Sequence, residues 1–518
     1  MSNLKSDSAK TSKIDSFFGI KKSGSSIRTE ITAGIVTFLA MAYILTLNPA
    51  LMLNLFTSEA NLHLRSSVFI ATALGAFIGT LLMALYAKLP LAQAPGLGLN
   101  SMVGAALGGS LIGGGIALSF SNAMLLVLIS GVLFLLLSLL KVRGVSIREI
   151  IYRAIPESVR KAISVGIGLF IAIIGLVNAG IIVPGQNGAD IPGLGAILFP
   201  GSGTVLTLAK FSSWDMAVVG GAIVCLFGFI IIAVLSHFKI KGAVIIGILA
   251  ATLLGLIPGM GVTQWSGESW AFWEHFANFF SFNSAEGGTF FVAFTEGFNF
   301  AENVPIMSLV MIVITFCMID MFDTMGTCVG CCQSAGLMTE DGVPVNYNRI
   351  MIADSVATCS GAFLGTSTVT TFVESGAGIS AGGRTGLTAL VTAGLFLLSI
   401  FLLPVFASIP GAAASSALIW VGCLMLKGVK ELKLDTVKEF VPAFLTIAMM
   451  PFGYSITTGI GFGILSYVVI DLCEYIFGLI AYACSKKADK VKPVWSLHVV
   501  TIIIAILFLI YFFVPTSV

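Results

Sequence analysis

Apolar residues fall along this chain in long uninterrupted runs, parted by short stretches that hold almost all of its charged positions. The runs cover roughly 31–53, 67–88, 121–140, 162–178, 214–235, 241–257, 305–325, 350–366, 385–405, 411–426, 437–450, 454–480 and 496–514. A helix rises about 1.5 Å per residue, so runs of this length approach or reach what the ~30 Å hydrocarbon layer requires, and they read as membrane-spanning helices. Two further segments, APGLGLNSMVGAALGG (94–109) and TSTVTTFVESGAGISAGG (366–383), are too short or too glycine-broken to span alone. The pattern predicts broken helices there. Backbone N–H and C=O groups freed at membrane depth are excluded from lipid and tolerated only beside protein or a lined cavity.

Composition agrees and narrows the class. The chain is 57% hydrophobic and 10% charged, with a mean hydropathy of +1.02, where a soluble domain carries about 25% charged residues. An ordinary soluble protein is excluded, and the formal charge of +2 argues for neither nucleic acid nor acidic partners. The charges matter by position. Cytoplasmic loops retain Lys and Arg, and the connector 141–161 holds Lys141, Arg143, Arg148, Arg153, Arg160 and Lys161, while 427–438 and 485–492 are both rich in Lys. These three loops are expected in the cytoplasm, their charges as ordinary solvated residues. The connector 258–304 has no Lys or Arg, carries Glu268, Glu274, Glu286, Glu296 and Glu302 among Trp and Phe, and is expected outside. Residues 1–29, Ser/Lys-rich and lacking a signal-peptide core, read as a cytoplasmic N-terminal arm.

Short matches recur in the same order along the two halves. VTF (36–38) returns as ITF (314–316), GAFIGT (75–80) as GAFLGT (361–366), Ile155-Pro156 as Ile409-Pro410 with Gly168 matching Gly422, and GIL (247–249) as GIL (463–465). Collinearity makes these a repeat. Each copy holds seven segments with the broken one third, and an odd count forces the second copy to enter from the opposite side, so the repeat is inverted. The expected fold is an all-α polytopic membrane protein of about fourteen segments in two inverted sevens. The division runs 1–29 arm, 30–257 first repeat, 258–304 external insert, 305–480 second repeat, and 481–518 basic loop plus an extra hydrophobic segment.

A charge at mid-bilayer costs at least ~2.5–3.5 kcal/mol, so carboxylates inside spanning segments are the leading site candidates. Asp320 and Asp323 lie three residues apart in ITFCMIDMFDTMGT, on nearly one helix face, and Glu374 lies in the second broken segment. Asn100 supplies an amide at the matching level of the first. These four are expected to converge at the repeat interface, where free backbone groups, an amide and carboxylate acceptors suit a flat heterocycle with alternating donors and acceptors. Burial disfavours the charged form of a carboxylate, which lets it take and release a proton as the pocket changes side. Phe38 and Phe372 could stack on the ring, although aromatic residues in membrane helices more often simply pack. Asp323 is open to a second reading as a helix cap or interhelical bond. Asp354 and Arg384 read as helix-end residues.

Other chemistries find little support. Cys328-x-x-Cys331-Cys332 lacks a second pair or nearby His and reads as free thiols, with no metal. There is no G-x-x-x-x-G-K-[ST] loop for ATP, and Gly459-Ile-Gly461-Phe-Gly463 reads as close helix packing. An intramembrane aspartyl protease would need a G-x-G-D motif, which is absent, so no enzyme activity is expected.

The segments TEITAGIVTFLAMAYILTLNPA, QAPGLGLN, DMFDTMGT, GTSTVTTFVESGAGISAGGRTG and GFGILSYVVIDL, spread over most of residues 28–515, together resemble the AzgA-like purine permeases of the nucleobase-ascorbate (nucleobase cation symporter-2) group. The resemblance implies a uracil-symporter-like fold with core and gate domains. It also implies proton-coupled uptake of adenine, guanine or hypoxanthine across the cytoplasmic membrane, with no cofactor beyond the coupling proton, and a homodimer. Carried over by motif, the substrate positions fall on Asn100, Asp320 and Glu374, and proton coupling on Asp323, Asp320 and Glu374. The external insert is longer than the family pattern, and Cys328–Cys332 replaces more usual apolar residues. The competing reading is an anion carrier, or a carrier of another nucleobase such as uracil or xanthine, on the same fold.

Overall fold

The computed structural model describes residues 13–53, 63–108, 116–142, 145–184, 206–208, 216–240, 242–257, 272–301, 304–339, 344–432, 434–453, 456–484, 495 and 497–513. The Lys-rich stretch 485–492 and residues 258–271 of the insert 258–304, with Glu268, Trp265 and Trp270, lie outside them, as does Glu302. Every apolar run read from the sequence forms a helix. Among the described residues, nine helices are long and apolar enough to cross a membrane.

The first run is interrupted: Ile27–Met41 ends at Ala42 and Ile44–Leu53 follows, leaving Tyr43 at the break. The two glycine-broken segments differ from the all-helical expectation in a small way. Each opens as a short strand, Gln93–Pro95 and Val369–Thr371, and continues as a short helix, Leu97–Leu107 and Ser375–Ser380. The strands pair antiparallel with Gln93 opposite Thr371 and Pro95 opposite Val369. A strand exposes its backbone groups sideways, and pairing the two broken segments with each other satisfies those groups where water is absent.

The repeated motifs face one another. A side chain at Gly168 would begin 3.3 Å from the Gly422 carbonyl, and one at Gly422 would begin 2.6 Å from the Gly168 carbonyl, so the matched helices Glu157–Asn178 and Gly411–Met425 cross at their matched glycines. The GAF-x-GT copies behave alike. Gly75 and Gly361 lie on the helices Arg65–Leu82 and Tyr347–Leu364, and a side chain at either would run into Val369 of the strand between them. Equivalent residues that meet each other are what a pseudo-twofold axis through the bundle produces, and the inverted repeat accounts for it.

Helices from both halves sort into two packed groups. Ile27–Met41, Arg65–Leu82, Phe120–Leu139, Tyr347–Leu364 and Gly386–Ser399 pack around the strand pair, together with Ile306–Ala335. The second group joins Glu157–Asn178, Met216–His237, Ala243–Gly255, Gly411–Met425, Val437–Phe452 and Ile456–Cys484. A buried carboxylate pins the first: Glu30 accepts from the backbone amides of Arg384 (3.0 Å) and Thr385 (3.2 Å) and from the Thr388 hydroxyl (2.6 Å), capping the helix Gly386–Ser399. Arg384 does stand at a helix end, donating to the carbonyls of Ile379 (2.6 Å) and Gly383 (2.7 Å). The glycines of GIGFG also serve close packing, Gly459 and Gly463 against Val437–Phe452 and Gly461 against Phe508 and Phe512.

The extra helix Val499–Phe513 has 15 residues, about 22 Å of rise. It packs on Ile456–Cys484 and on the connector helix Ile147–Ala154, where the Thr501 hydroxyl donates to the Ala154 carbonyl at 2.5 Å.

The described part of the insert 258–304 is bound to the first group. Phe291 donates its amide to the Phe363 carbonyl (2.8 Å), and the Ser67 hydroxyl donates to the Gly287 carbonyl (2.5 Å). Glu296 closes the contact, accepting from the hydroxyls of Ser121 (2.8 Å) and Ser284 (2.5 Å) and from the Ser284 amide (3.2 Å). Partial burial pushes this carboxyl up, but the donors from Ser284 and Ser121 outweigh it and hold it below the ordinary glutamate range. A depressed acid stabilises the fold above its unfolded-state value, about 4.3, and loses that contribution as pH falls through the folded one. Thermal unfolding of purified Glu296→Ala should therefore show a loss of about 1 kcal/mol at pH 7 that shrinks below pH ~4. An equal gap at both pH values would refute the clasp.

Candidate functional site

The strand crossing gathers the carboxylates read from the sequence. Asp320 and Asp323 lie midway along the 30-residue helix Ile306–Ala335, and Glu374 is the N-cap of Ser375–Ser380. A negative charge at that position faces the positive end of a helix. Tyr43, released by the break in the first run, donates its hydroxyl to Glu374 Oε1 at 2.5 Å. Asp323 is half-buried, with Oδ2 3.8 Å from where a side chain at Gly96 would begin, on the helix that packs against Ser375–Ser380. The Thr370 methyl stands 2.7 Å from where that side chain would begin, so the glycine permits the close approach of the two broken segments.

Asp320 lies deeper and is buried. Thr358 donates to its Oδ2 at 2.9 Å, while Oδ1 has no hydrogen-bond partner among the described residues. Asn100 is buried within its short helix, its Oδ1 accepting from the Ser367 hydroxyl and its Nδ2 donating to the Pro95 carbonyl at 3.3 Å. Its amide thus ties one broken segment to the other. Phe38 packs edge-on against Phe396, with ring centroids 5.2 Å apart, and Phe372 is buried with its backbone amide on the Ala92 carbonyl (3.0 Å). For Phe38 the contact seen is the packing one.

Two residues correct the sequence reading. Asp354 was expected at a helix end, yet the helix begins at Tyr347, which carries Asp354 two turns inward to full burial. Its Oδ1 accepts from Gln93 Nε2 (2.8 Å) and from Thr324 Oγ1 (2.7 Å). Arg148 was expected as a solvated loop cation. It is fully buried, with Nη2 3.8 Å from Asp354 Oδ2 and its guanidinium 3.7 Å from the Phe134 ring centroid. The signal that would have found it is Asp354 itself, because a carboxylate inside a spanning segment calls for a named partner. Tyr43, Gln93, Thr324 and Thr358 left no such mark, since single neutral residues in apolar runs look like filler.

A cavity of about 360 Å³ lies between the two groups, lined by Ala40, Ser236, Lys239, Gly242, Ala377 and Ser380 among others. Ala377 donates its amide to the Glu374 carbonyl (2.9 Å), so the cavity reaches within one helical turn of Glu374. All nine cysteines are unpaired, and Cys331 contacts the carbonyl of Val373 beside Glu374.

Paired half-spanning segments, with polar groups at their crossing and a second helix group alongside, are the layout of a membrane carrier. The comparisons narrow this. The profile described as the permease family (Xan_ur_permease) matches residues 28–462. The guanine/hypoxanthine permease PbuO of Bacillus subtilis is 35% identical, covering 96% of this chain and 100% of that one, and the adenine permease AdeQ of Escherichia coli is 34% identical over 88% and 90%. Among solved structures, the transmembrane domain of the cyanobacterial bicarbonate transporter BicA superposes with a TM-score of 0.55 at 15% identity, covering 84% of this chain and 97% of that one, a likeness of fold. The chain belongs to this permease family and is a multi-pass membrane protein.

Proposed function

We propose that this protein is a proton-coupled secondary carrier that takes up purine bases, namely adenine, guanine or hypoxanthine, across the cytoplasmic membrane. The observation that carries the reading is the placing of Asp320 and Asp323, on a helix packed against the second strand and Ser375–Ser380, beside Glu374 with its Tyr43 partner. Carboxylates accept the N–H groups that a purine edge presents, and such a site rejects a molecule lacking those donors far better than one differing by a methyl group. A carboxylate can carry a proton, and movement of one helix group against the other would give that proton and the base a common route. The permeases named above, described as carrying guanine, hypoxanthine or adenine, support the substrate class. At the strand crossing an anion would meet carboxylates, and the guanidinium behind them is engaged with Asp354, while Lys239 lines the cavity beside the crossing.

The test is uptake of labelled adenine, guanine, hypoxanthine, xanthine and uracil by cells lacking their own base permeases, with and without a protonophore. Purine uptake that collapses with the proton gradient is the expected result. Well-expressed protein that moves none of the five would end the proposal.

A further inference from the structure

The connector helix Ile147–Ala154 joins the first helix group, through Phe120–Leu139, to the second, through Glu157–Asn178. A short helix at a membrane surface has water within reach of a cationic side chain, and long basic side chains normally extend toward it. Arg148 does the opposite. Its guanidinium lies over the Phe134 ring and reaches Asp354, while its Nε and Nη2 donate no hydrogen bond among the described residues. Such burial is tolerated only where a counter-charge compensates it.

The partner is not isolated. One oxygen of Asp354 meets Arg148, and the other receives Gln93, which opens the first strand, and Thr324, one turn beyond Asp320. The Thr324 hydroxyl also meets the Thr370 hydroxyl at 2.6 Å, on the second strand. Asp354 therefore holds both strands and the acid-bearing helix from behind. Removing one member of a buried pair leaves the other as an uncompensated charge, so Asp354 keeps this geometry only while Arg148 faces it. The other titratable groups near the pair are Asp320, Asp323, Tyr347, Cys317 and Cys328.

We infer that Arg148 is a positioning residue for the base site: through Asp354 it fixes the strand crossing and the acids beside it, and so ties the connector between the two helix groups to the substrate. This rests on the purine-carrier reading for its substrate, but its structural core can be tested without any base.

The experiment compares wild type with Arg148→Gln, Arg148→Lys, Asp354→Asn and the double variant Arg148→Gln/Asp354→Asn, each checked as monodisperse in detergent. Hydrogen–deuterium exchange of peptides covering 89–100 and 366–380 reports the crossing directly, and uptake kinetics report the site. Arg148→Gln should speed exchange in both peptides and raise the half-saturating base concentration at least about tenfold, with a smaller change in maximal rate. The lysine variant should fall between it and wild type. The double variant should recover most of the exchange protection, because no unpaired charge remains. Wild-type exchange and half-saturation in Arg148→Gln, or a double variant no better than the single one, would overturn the inference. A wild-type protein that transports no base but shows this exchange pattern would refute the carrier proposal alone.

Discussion

Glu374→Gln is expected to cut proton-driven purine uptake by about a hundredfold, and what uptake remains should no longer respond to external pH. Gln copies the protonated acid in shape and keeps an oxygen for the Tyr43 hydroxyl, now 2.5 Å from Oε1, so the local fold has little reason to change. What it loses is the ability to ionise. A charge-assisted hydrogen bond is worth about 1.5–3 kcal/mol, and each 1.4 kcal/mol is a factor of ten, which sets the size of the effect if the base meets the ionised form. The position favours that role, since Glu374 caps the short helix Ser375–Ser380 beside the cavity between the helix groups. Liposome assays with an imposed pH gradient separate the two losses. Full transport with an unchanged pH response would remove Glu374 from the mechanism.

Asp320→Asn should weaken base binding by roughly ten- to a hundredfold with the protein still folded. Its Oδ2 is held by Thr358, so the side chain has one orientation, and its buried Oδ1 has no hydrogen-bond partner among the described residues. A fixed acceptor of this kind costs free energy until a donor meets it, which is the arrangement that rewards a ligand N–H. Asn in the same orientation either turns an NH₂ toward that donor or breaks with Thr358. Scintillation-proximity binding of labelled base to purified protein reads the effect directly, and unaltered affinity would place Asp320 in the scaffold.

The contrast between Asp320 and Arg148 shows what the sequence could reveal. Spanning helices were legible because lipid demands long apolar runs, and the inverted repeat because matched glycines must sit where matched helices touch, as Gly168 and Gly422 do. Asp320, Asp323 and Glu374 stood out because charge is costly at their depth. The two broken segments were visible as interruptions, but their strand pairing was not, since three-residue strands leave no periodicity to read. Arg148 was hidden by a rule that is correct on average: basic residues in connectors are solvated. Asp354 was misplaced because the polar first turn Tyr347-Asn348-Arg349 looked like loop, though it begins the helix.

The insert 258–304 offers a practical handle on the transport cycle. Its described bonds run to helices of the first group, through Ser67, Ser121 and Phe363, and Trp273 on it is 79% exposed. A fluorophore placed there would ride with the half that carries the acids, so its energy transfer to a dye on Val437–Phe452 would act as a ruler. Successive turnovers of a single transporter could then be timed by that ruler, with the dyes on residues distant from the strand crossing.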